Sequence, residues 1–130
     1  MMRVATLIAL GALALTGSAG LARAPSGEQR LARMLEGRVA GRPMRCINAF
    51  HGRDVQVIDR VGIVYDDGKT VWVARADDPD SVRDRDILIV ERMSGSNLCR
   101  DDVKRTVDRS EGFLRSVVFL GDFVPYTRAG

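Results

Sequence analysis

The 130-residue chain is poor in histidine and cysteine, two side chains on which catalysis and metal binding often depend. His51 is its one histidine, so any histidine-based metal site or Ser-His-Asp arrangement would have to use that residue. The chain has no G-x-S-x-G nucleophile turn and neither of the common glycine-rich phosphate-binding motifs. It also has no internal repeats or low-complexity tracts, which indicates one domain rather than an array.

Only two cysteines are present, Cys46 and Cys99, and they stand 53 positions apart. This spacing excludes a C-x-x-C redox dithiol and most zinc or haem attachment sites. A structural disulfide is the favoured interpretation, and two free thiols or an intermolecular bridge are the alternatives. On the chain-entropy model, closing a loop of this size stabilises the fold by about 4 kcal/mol.

The longest apolar run lies at the N-terminus and has the order of an export signal. A basic residue is followed by an apolar segment, 4–15, and then by a small-residue segment. We predict a signal peptide over residues 1–24, cleaved after Ala22 or Ala24, and a mature bacterial protein that is periplasmic or secreted. The alternative is a retained membrane anchor, because residues 4–22 carry no charge and approach the roughly 20 residues that span a bilayer.

Loss of this leader changes the charge of the chain. The full sequence has 20 basic and 17 acidic residues, a net charge of +3. Arg3 and Arg23 leave with the leader, so the mature chain, residues 25–130, has 18 basic and 17 acidic residues. We expect no nucleic-acid partner, because nucleic-acid-binding domains concentrate positive charge on one face.

The first mature segment predicts an α-helix. Ser26 and Gln29 have the S-x-x-Q spacing of a capping box, the apolar residues 31, 34 and 35 share one face, and Gly37 ends the run. We expect this helix to pack on a sheet. The alternative is an amphipathic helix that binds a membrane surface or a partner.

The rest of the chain has a β pattern. Two β-rich runs flank residues 67–68, an Asp-Gly dipeptide that favours a two-residue hairpin turn. Such a turn would place Val64 opposite Val71 and Ile63 opposite Trp72. Both faces of the hairpin would then carry apolar side chains and need cover.

Further strands are predicted over residues 55–58, 87–93, 103–107 and 117–124, with a bulge at Gly121 and an end at Pro125. The sequence therefore predicts a single disulfide-linked, mainly β domain over residues 25–130. We expect a small antiparallel barrel or sandwich of five to seven strands with one N-terminal helix. The residues expected to anchor its core are Trp72, Ile63, Tyr65 and Phe119.

Seven short motifs, most of them at cysteines or strand ends, stand out along the mature chain. They are 46–48 (CIN), 57–59 (VID), 63–65 (IVY), 73–75 (VAR), 98–99 (LC), 107–109 (VDR) and 120–126 (LGDFVPY). Together they resemble a family of small exported proteobacterial proteins of unknown function, over most of the mature chain. The resemblance implies export, a disulfide and a single domain, and it implies no activity.

Two charged segments invite functional interpretations. Segment 77–86 contains five aspartates, which predict either a weak calcium site or a solvated loop whose arginines offset them. It lacks the central glycine and terminal glutamate of an EF-hand loop. Segment 25–60 has seven arginines and four acidic residues, an excess that would attract an acidic polymer or protein unless the fold pairs these charges internally.

Our leading hypothesis is a non-enzymatic periplasmic binding or envelope-interaction module without a cofactor or metal. Its expected partner is an envelope protein or an acidic polymer, with no stable membrane insertion after cleavage. The alternative is a small periplasmic hydrolase that uses carboxylates or His51. An enzyme should have a polar cleft in which titratable side chains converge, whereas a binding module should have an exposed apolar or charged patch.

The first prediction concerns the cysteines of the exported protein. We expect the intact mass of the mature chain to rise by two hydrogens on reduction, because Cys46 and Cys99 form an intramolecular disulfide. Mass spectrometry with and without reductant measures this difference. An unchanged mass in the monomer would rule out the bridge.

Overall fold

The structure is a computed structural model that describes residues 23–49, 55–93 and 95–130, together with Gly17 and Gly20. The predicted signal peptide lies almost entirely outside the described residues, and so does His51. The interpretations of both therefore stay predictions. No helix in the described part of the chain combines the length and the apolar character that a membrane crossing requires.

Helix α1, Gly27–Met34, begins at the predicted capping box. The Ser26 hydroxyl accepts a hydrogen bond from the backbone amide of Gln29 at 3.2 Å, and the Gln29 side chain accepts one from the amide of Ser26 at 2.9 Å. Two amides that the helix cannot pair internally are thereby satisfied. Leu31 is buried in the cluster that the helix forms with the sheet, so the predicted packing of the helix is confirmed.

The described residues also form ten short strands, all paired antiparallel. They are β1 (Arg38–Ala40), β2 (Cys46–Asn48), β3 (Val55–Ile58), β4 (Gly62–Asp66), β5 (Thr70–Arg75), β6 (Ile87–Glu91), β7 (Asn97–Cys99), β8 (Val103–Val107), β9 (Leu114–Val117) and β10 (Val124–Arg128). Their number exceeds the expected five to seven because β1, β2 and β7 have only three residues each, too few to show an alternating pattern.

These strands form three sheets, which confirms the mainly β prediction. The first sheet has the order β1-β10-β5-β4-β3, the second joins β2 to β7, and the third has the order β6-β8-β9. Within the described residues the sheets form a sandwich-like arrangement and no closed barrel. The open choice between barrel and sandwich is thereby decided.

The β4–β5 hairpin has the predicted type of connection with a different register. Its two-residue loop is Gly68-Lys69, because the Asp67 amide donates to the Thr70 carbonyl at 3.1 Å. The carboxylate of Asp66 also accepts from the Gly68 amide, and φ of Gly68 is +94°, a value that favours glycine. Each residue of β4 therefore pairs with a residue of β5 two positions beyond the expected one, for example Val64 with Val73 in place of Val71. Because the shift is an even number of residues, each side chain stays on its predicted face of the hairpin.

The first sheet carries apolar side chains on both faces, as the hairpin pattern predicts. Val64 and its cross-strand partner Val73 contribute to the cluster on the side of helix α1. On the other side, Ile63 and Tyr65 are buried in a larger cluster formed with the other two sheets, and Trp72 is half-buried against it. The first sheet is thus the middle layer, between the helix and the two smaller sheets.

The expectation that Phe119 anchors the core is wrong. Its side chain is 67% exposed, whereas its neighbours Val118 and Leu120 are buried. Side chains alternate between the two faces of an extended segment, so the burial of these two neighbours turns Phe119 outward. An apolar run of four residues, 117–120, does not by itself show which alternate set faces the core.

Pro125 does not end the last strand, contrary to the prediction. It lies within β10, opposite Trp72, and its carbonyl accepts a hydrogen bond from the Gly41 amide at 2.7 Å. Proline has no amide hydrogen to return to the neighbouring chain, and β1 ends at Ala40 beside it. Pro125 therefore limits the neighbouring edge strand and leaves β10 intact.

Cys46 and Cys99 form the predicted disulfide. They are directly opposite each other in the β2–β7 pair, and no other cysteine is present in the chain. Next to them, Ile47 and Leu98 are buried in the larger apolar cluster. The bridge therefore fastens the small second sheet at the position where it contributes to the core.

A second prediction concerns the close approach of helix α1 to the β3–β4 turn. A Cβ atom at Gly27 would lie 1.8 Å from the Asp59 carbonyl oxygen. We expect Gly27→Ala to lower the free energy of unfolding by roughly 1–3 kcal/mol, although alanine elsewhere in a helix is favoured over glycine by up to about 1 kcal/mol. Denaturant unfolding measures the change.

Gly121→Ala is the matched control, because the nearest atom to its added Cβ is the Arg75 carbonyl oxygen at 3.8 Å. We expect the control to change the unfolding free energy by less than about 1 kcal/mol. Equal losses in the two variants would contradict the assigned contact.

Candidate binding surface

Nine outward positions of the third sheet form three rows. Each row has one residue from β6, one from β8 and one from β9 or from the segment that continues it. The first row is Ile87, Val107 and Leu114; the second is Ile89, Arg105 and Val117; the third is Glu91, Val103 and Phe119. Phe119 extends the last row because the Val118 amide donates to the Lys104 carbonyl at 2.8 Å, which continues the register beyond β9. We call these nine residues the outer face.

Seven of the nine positions of the outer face are apolar. Six of these seven side chains are at least 39% exposed, and Val107 is half-buried. From these fractions the exposed apolar area is on the order of 600 Å², at the upper end of the largest apolar patch on a typical monomer. A contiguous patch of this size differs from singly scattered surface residues and makes the outer face the candidate binding surface.

A bulge in β9 completes the outer face. The register passes from Thr106 opposite Ser116 to Val107 opposite Leu114, so Arg115 is the extra residue. The bulge turns Leu114 onto the same face as Val117. Arg115 itself pairs with Asp86 at 3.4 Å and with Asp108 at 2.6 Å.

Asp108 organises the turn that leads into the bulge. Its carboxylate accepts hydrogen bonds from the backbone amides of Glu111 and Ser110, at 2.7 and 2.8 Å. The Glu111 amide, assisted by the Arg115 guanidinium and the Ser110 amide, holds the pKa of Asp108 below its usual range. The charged carboxylate therefore fixes the turn from which Leu114 emerges.

The inward face of the same sheet is polar at its centre. Lys104 and Thr106 of the middle strand are fully buried, and the Thr106 hydroxyl is 2.7 Å from the Ser116 hydroxyl. Ser116 also donates to the Ser81 carbonyl at 2.8 Å. The buried polar side chains of this sheet thus have hydrogen-bond partners inside the fold, and the apolar side chains of β8 lie on the outside.

Lys104 is the most unusual of these buried residues. Its ammonium donates to the carbonyl oxygens of Cys99 at 2.7 Å, Asp102 at 2.8 Å and Arg100 at 3.0 Å. Three acceptors match the three protons of an ammonium group. Burial lowers the pKa of Lys104, and the carboxylates of Asp102 and Asp101 oppose that shift.

Asp102 completes the turn between β7 and β8. It is buried, and its carboxylate accepts hydrogen bonds from the amides of Cys99 at 2.8 Å and Met93 at 3.2 Å. The disulfide therefore holds the first residue of the turn 99–102, and the side chains of Asp102 and Lys104 bond its backbone groups. We call this arrangement of Cys99, Asp102 and Lys104 the turn lock.

The outer face contains one positive and one negative side chain. Arg105, at the centre, forms an ion pair with Glu91 in the neighbouring row. Both side chains are about half exposed, so the pair adds little to stability. Its effect is to leave the outer face without net charge.

A separate cleft of about 570 Å³ lies between β3 and β6. Val55, Val57 and Leu88 line it, together with the carboxylates of Asp84 and Asp86. Each of these carboxylates is already paired with an arginine of another element. Asp84 pairs with Arg30 at 3.2 Å, and Asp86 with Arg115 at 3.4 Å.

Four of the five aspartates of segment 77–86 have side chains with separate partners in the structure. Asp78 caps the short 3-10 helix Pro79–Ser81 and accepts from the Asp80 amide at 3.0 Å. Asp80 pairs with Arg60 at 2.5 Å. In the parts of the chain that the structure describes, no three acidic, histidine or cysteine side chains are grouped as metal ligands.

Four of the arginines that the structure describes in segment 25–60 have internal partners. Arg30 and Arg60 pair with aspartates of segment 77–86, and Arg45 pairs with Asp101. Arg38 donates instead to carbonyl oxygens, among them that of Lys69 in the hairpin turn at 3.0 Å. The positive and negative segments of the sequence are thus joined across the fold, which is the internal pairing considered above.

The sequence contained a signal for the outer face that the predictions did not use. Segment 87–93 is apolar on both alternate sets, and segment 103–107 has valine at both ends. An apolar run on both faces requires cover on both sides. Among the residues that the structure describes, cover is present on the inner side only, where Leu88 and Val90 pack against the larger cluster.

A third prediction tests the turn lock with the two lysines of the chain. We expect Lys104→Met to lower the unfolding free energy by about 3 kcal/mol, because three buried carbonyl oxygens lose their donor. Lys69→Met is the matched control, since Lys69 is exposed in the hairpin loop, and we expect it to change stability by no more than about 0.5 kcal/mol. Denaturant unfolding compares the two, and equal effects would contradict the assignment.

In comparisons with known proteins, no protein-family model, no curated protein and no solved structure matches this chain.

Proposed function

We propose that this domain is a non-enzymatic binding module of the bacterial envelope and that it engages a protein partner through its outer face. The observation that carries the proposal is the contiguous apolar surface of the third sheet, seven positions of nine, in a domain with a core on its other side. Contiguous exposed apolar area of this size is characteristic of interaction sites.

The charges of the outer face favour binding over catalysis. Its two titratable side chains, Arg105 and Glu91, are paired with each other. The cleft between β3 and β6 has two carboxylates, Asp84 and Asp86, and both are engaged by arginines. A general acid or base needs a carboxyl group that is available to a substrate, and the described part of the cleft offers these two in ion pairs.

A protein partner fits the outer face better than an acidic polymer. An acidic polymer would need an unpaired cation on the outer face, whereas Arg105, the cation of that face, is paired with Glu91. An apolar, uncharged surface gains its binding free energy from the removal of apolar area from water. A partner with its own apolar surface meets that requirement.

The proposed compartment rests on two observations that agree. The sequence begins with the pattern of a cleavable export signal, and the Cys46–Cys99 disulfide is typical of proteins that mature in an oxidising compartment. The resemblance of its motifs to small exported proteobacterial proteins supports the same proposed compartment. The outer face would then be presented to other envelope proteins.

A fourth prediction tests the location of the binding surface in cells. A photoreactive phenylalanine derivative replaces Phe119 in the full exported chain, and a second variant has it at Val39 on β1. Val39 is 53% exposed and lies outside the outer face, so it is a control of similar accessibility. We expect irradiation to give discrete cross-linked protein bands from position 119 and none from position 39.

Mass spectrometry of the bands identifies the cross-linked peptides. Bands of equal intensity from the two positions, or none from position 119, would contradict a binding role for the outer face. Cross-links to glycan instead of protein would contradict the proposed class of partner.

A further inference from the structure

We infer that the partner of the outer face is a second copy of this chain, so that two third sheets pack face to face in a two-fold dimer. This inference rests on the proposed function and goes further, because it names the occupant. Three properties of the outer face support it: its area, its charge and its sheet geometry.

The area of the outer face is appropriate for a stable dimer. Specific protein interfaces bury about 800 Å² of each partner. The apolar side chains of the outer face expose on the order of 600 Å², and Arg105 and Glu91 add polar area at its centre and corner. A single interface of standard size would cover this whole face, with no further surface of either copy required.

The charge of the outer face is self-complementary. In a two-fold interface the same patch meets itself, so a patch with a net charge of either sign would repel its copy. The outer face has one cation and one anion already joined, and two copies therefore meet as neutral surfaces. When the second copy is rotated by the two-fold axis, the Arg105 guanidinium of one copy can also approach the Glu91 carboxylate of the other.

The sheet geometry favours the same arrangement. The third sheet already packs its inner side chains against the first sheet as one half of a sandwich. Stacked sheets lie about 10 Å apart and interdigitate apolar side chains from facing surfaces. Two outer faces, each with three rows of mostly apolar residues, present the surfaces that such stacking requires.

A fifth prediction follows for the oxidised protein purified after export of the full chain. We expect sedimentation equilibrium to show a reversible monomer–dimer equilibrium with a Kd in the micromolar range. Val117→Arg places a second guanidinium opposite Arg105, and we expect it to weaken the dimer at least tenfold. Val39→Arg is the matched control, because both valines are about half exposed, and we expect less than a twofold change.

The ion pair provides a second test that does not depend on inserting a charge. Removing one partner leaves the other charge unpaired in the interface, whereas replacing both with apolar residues removes the cost of dehydrating them. We expect Arg105→Met to weaken the dimer at least fivefold. We expect the double variant Arg105→Met with Glu91→Met to bind as tightly as the unmodified chain or more tightly. Circular dichroism verifies that every variant keeps its β structure.

Each outcome bears on the inference. A monomer at all concentrations up to about 1 mM, or equal effects of Val117→Arg and Val39→Arg, would overturn it. Cross-linked products from position 119 with twice the mass of the domain would support it. If those products contain another protein and the purified chain is monomeric, the dimer is overturned while the proposed binding function stands. If position 119 gives no specific product and the chain is monomeric, both fail.

Discussion

The outer face depends on the hydrogen bonds that the buried ammonium group of Lys104 donates. These three hydrogen bonds hold the carbonyl oxygens of the turn that joins β7 to β8, next to the disulfide that ties β7 to β2. Because Lys104 must point inward to reach them, the alternation of the strand turns its neighbours Val103 and Arg105 outward. A buried polar group on the inner side thus determines which side of β8 is apolar and exposed. This is the reverse of the usual arrangement, in which the apolar set of a strand faces the core.

Local patterns in the sequence predicted most of the elements, but they did not predict the hairpin register or the very short strands. The capping box at Ser26, strand β3, strand β8 and the Cys46–Cys99 bridge depend on a few adjacent residues or on cysteine counting, and each was found. The hairpin register was missed because the Asp-Gly dipeptide marks the turn without fixing which two residues form it. In the structure Asp66 and Asp67 each accept a hydrogen bond from a different turn amide, those of Gly68 and Thr70. The very short strands have no period from which they could be recognised.

The outer face was not predicted from the sequence for a different physical reason. A strand that is apolar on both faces must be covered on both sides, but the sequence does not state whether this chain or another provides the cover. Phe119 illustrates the difficulty, since its run has valine on both alternate sets, with phenylalanine on one and leucine on the other, and the larger side chain lies outside. The direction was set by Lys104 and Thr106 on the neighbouring strand, through the hydrogen-bonded register of β8 with β9. Only the assembled sheet contains that information.

The third sheet also limits how its exposed surface can associate. Within the described residues β6 and β9 are the edge strands of this sheet, and exposed edges of an apolar sheet tend to add further strands without limit. Two features oppose such growth: the bulge at Arg115 distorts the β9 edge, and Glu91 places a charge at the end of β6. Strand addition at the edges is therefore disfavoured, whereas the outer face remains accessible to a partner. Association through a face closes after two copies, because each copy has one such face among its described residues, whereas association through edges does not close.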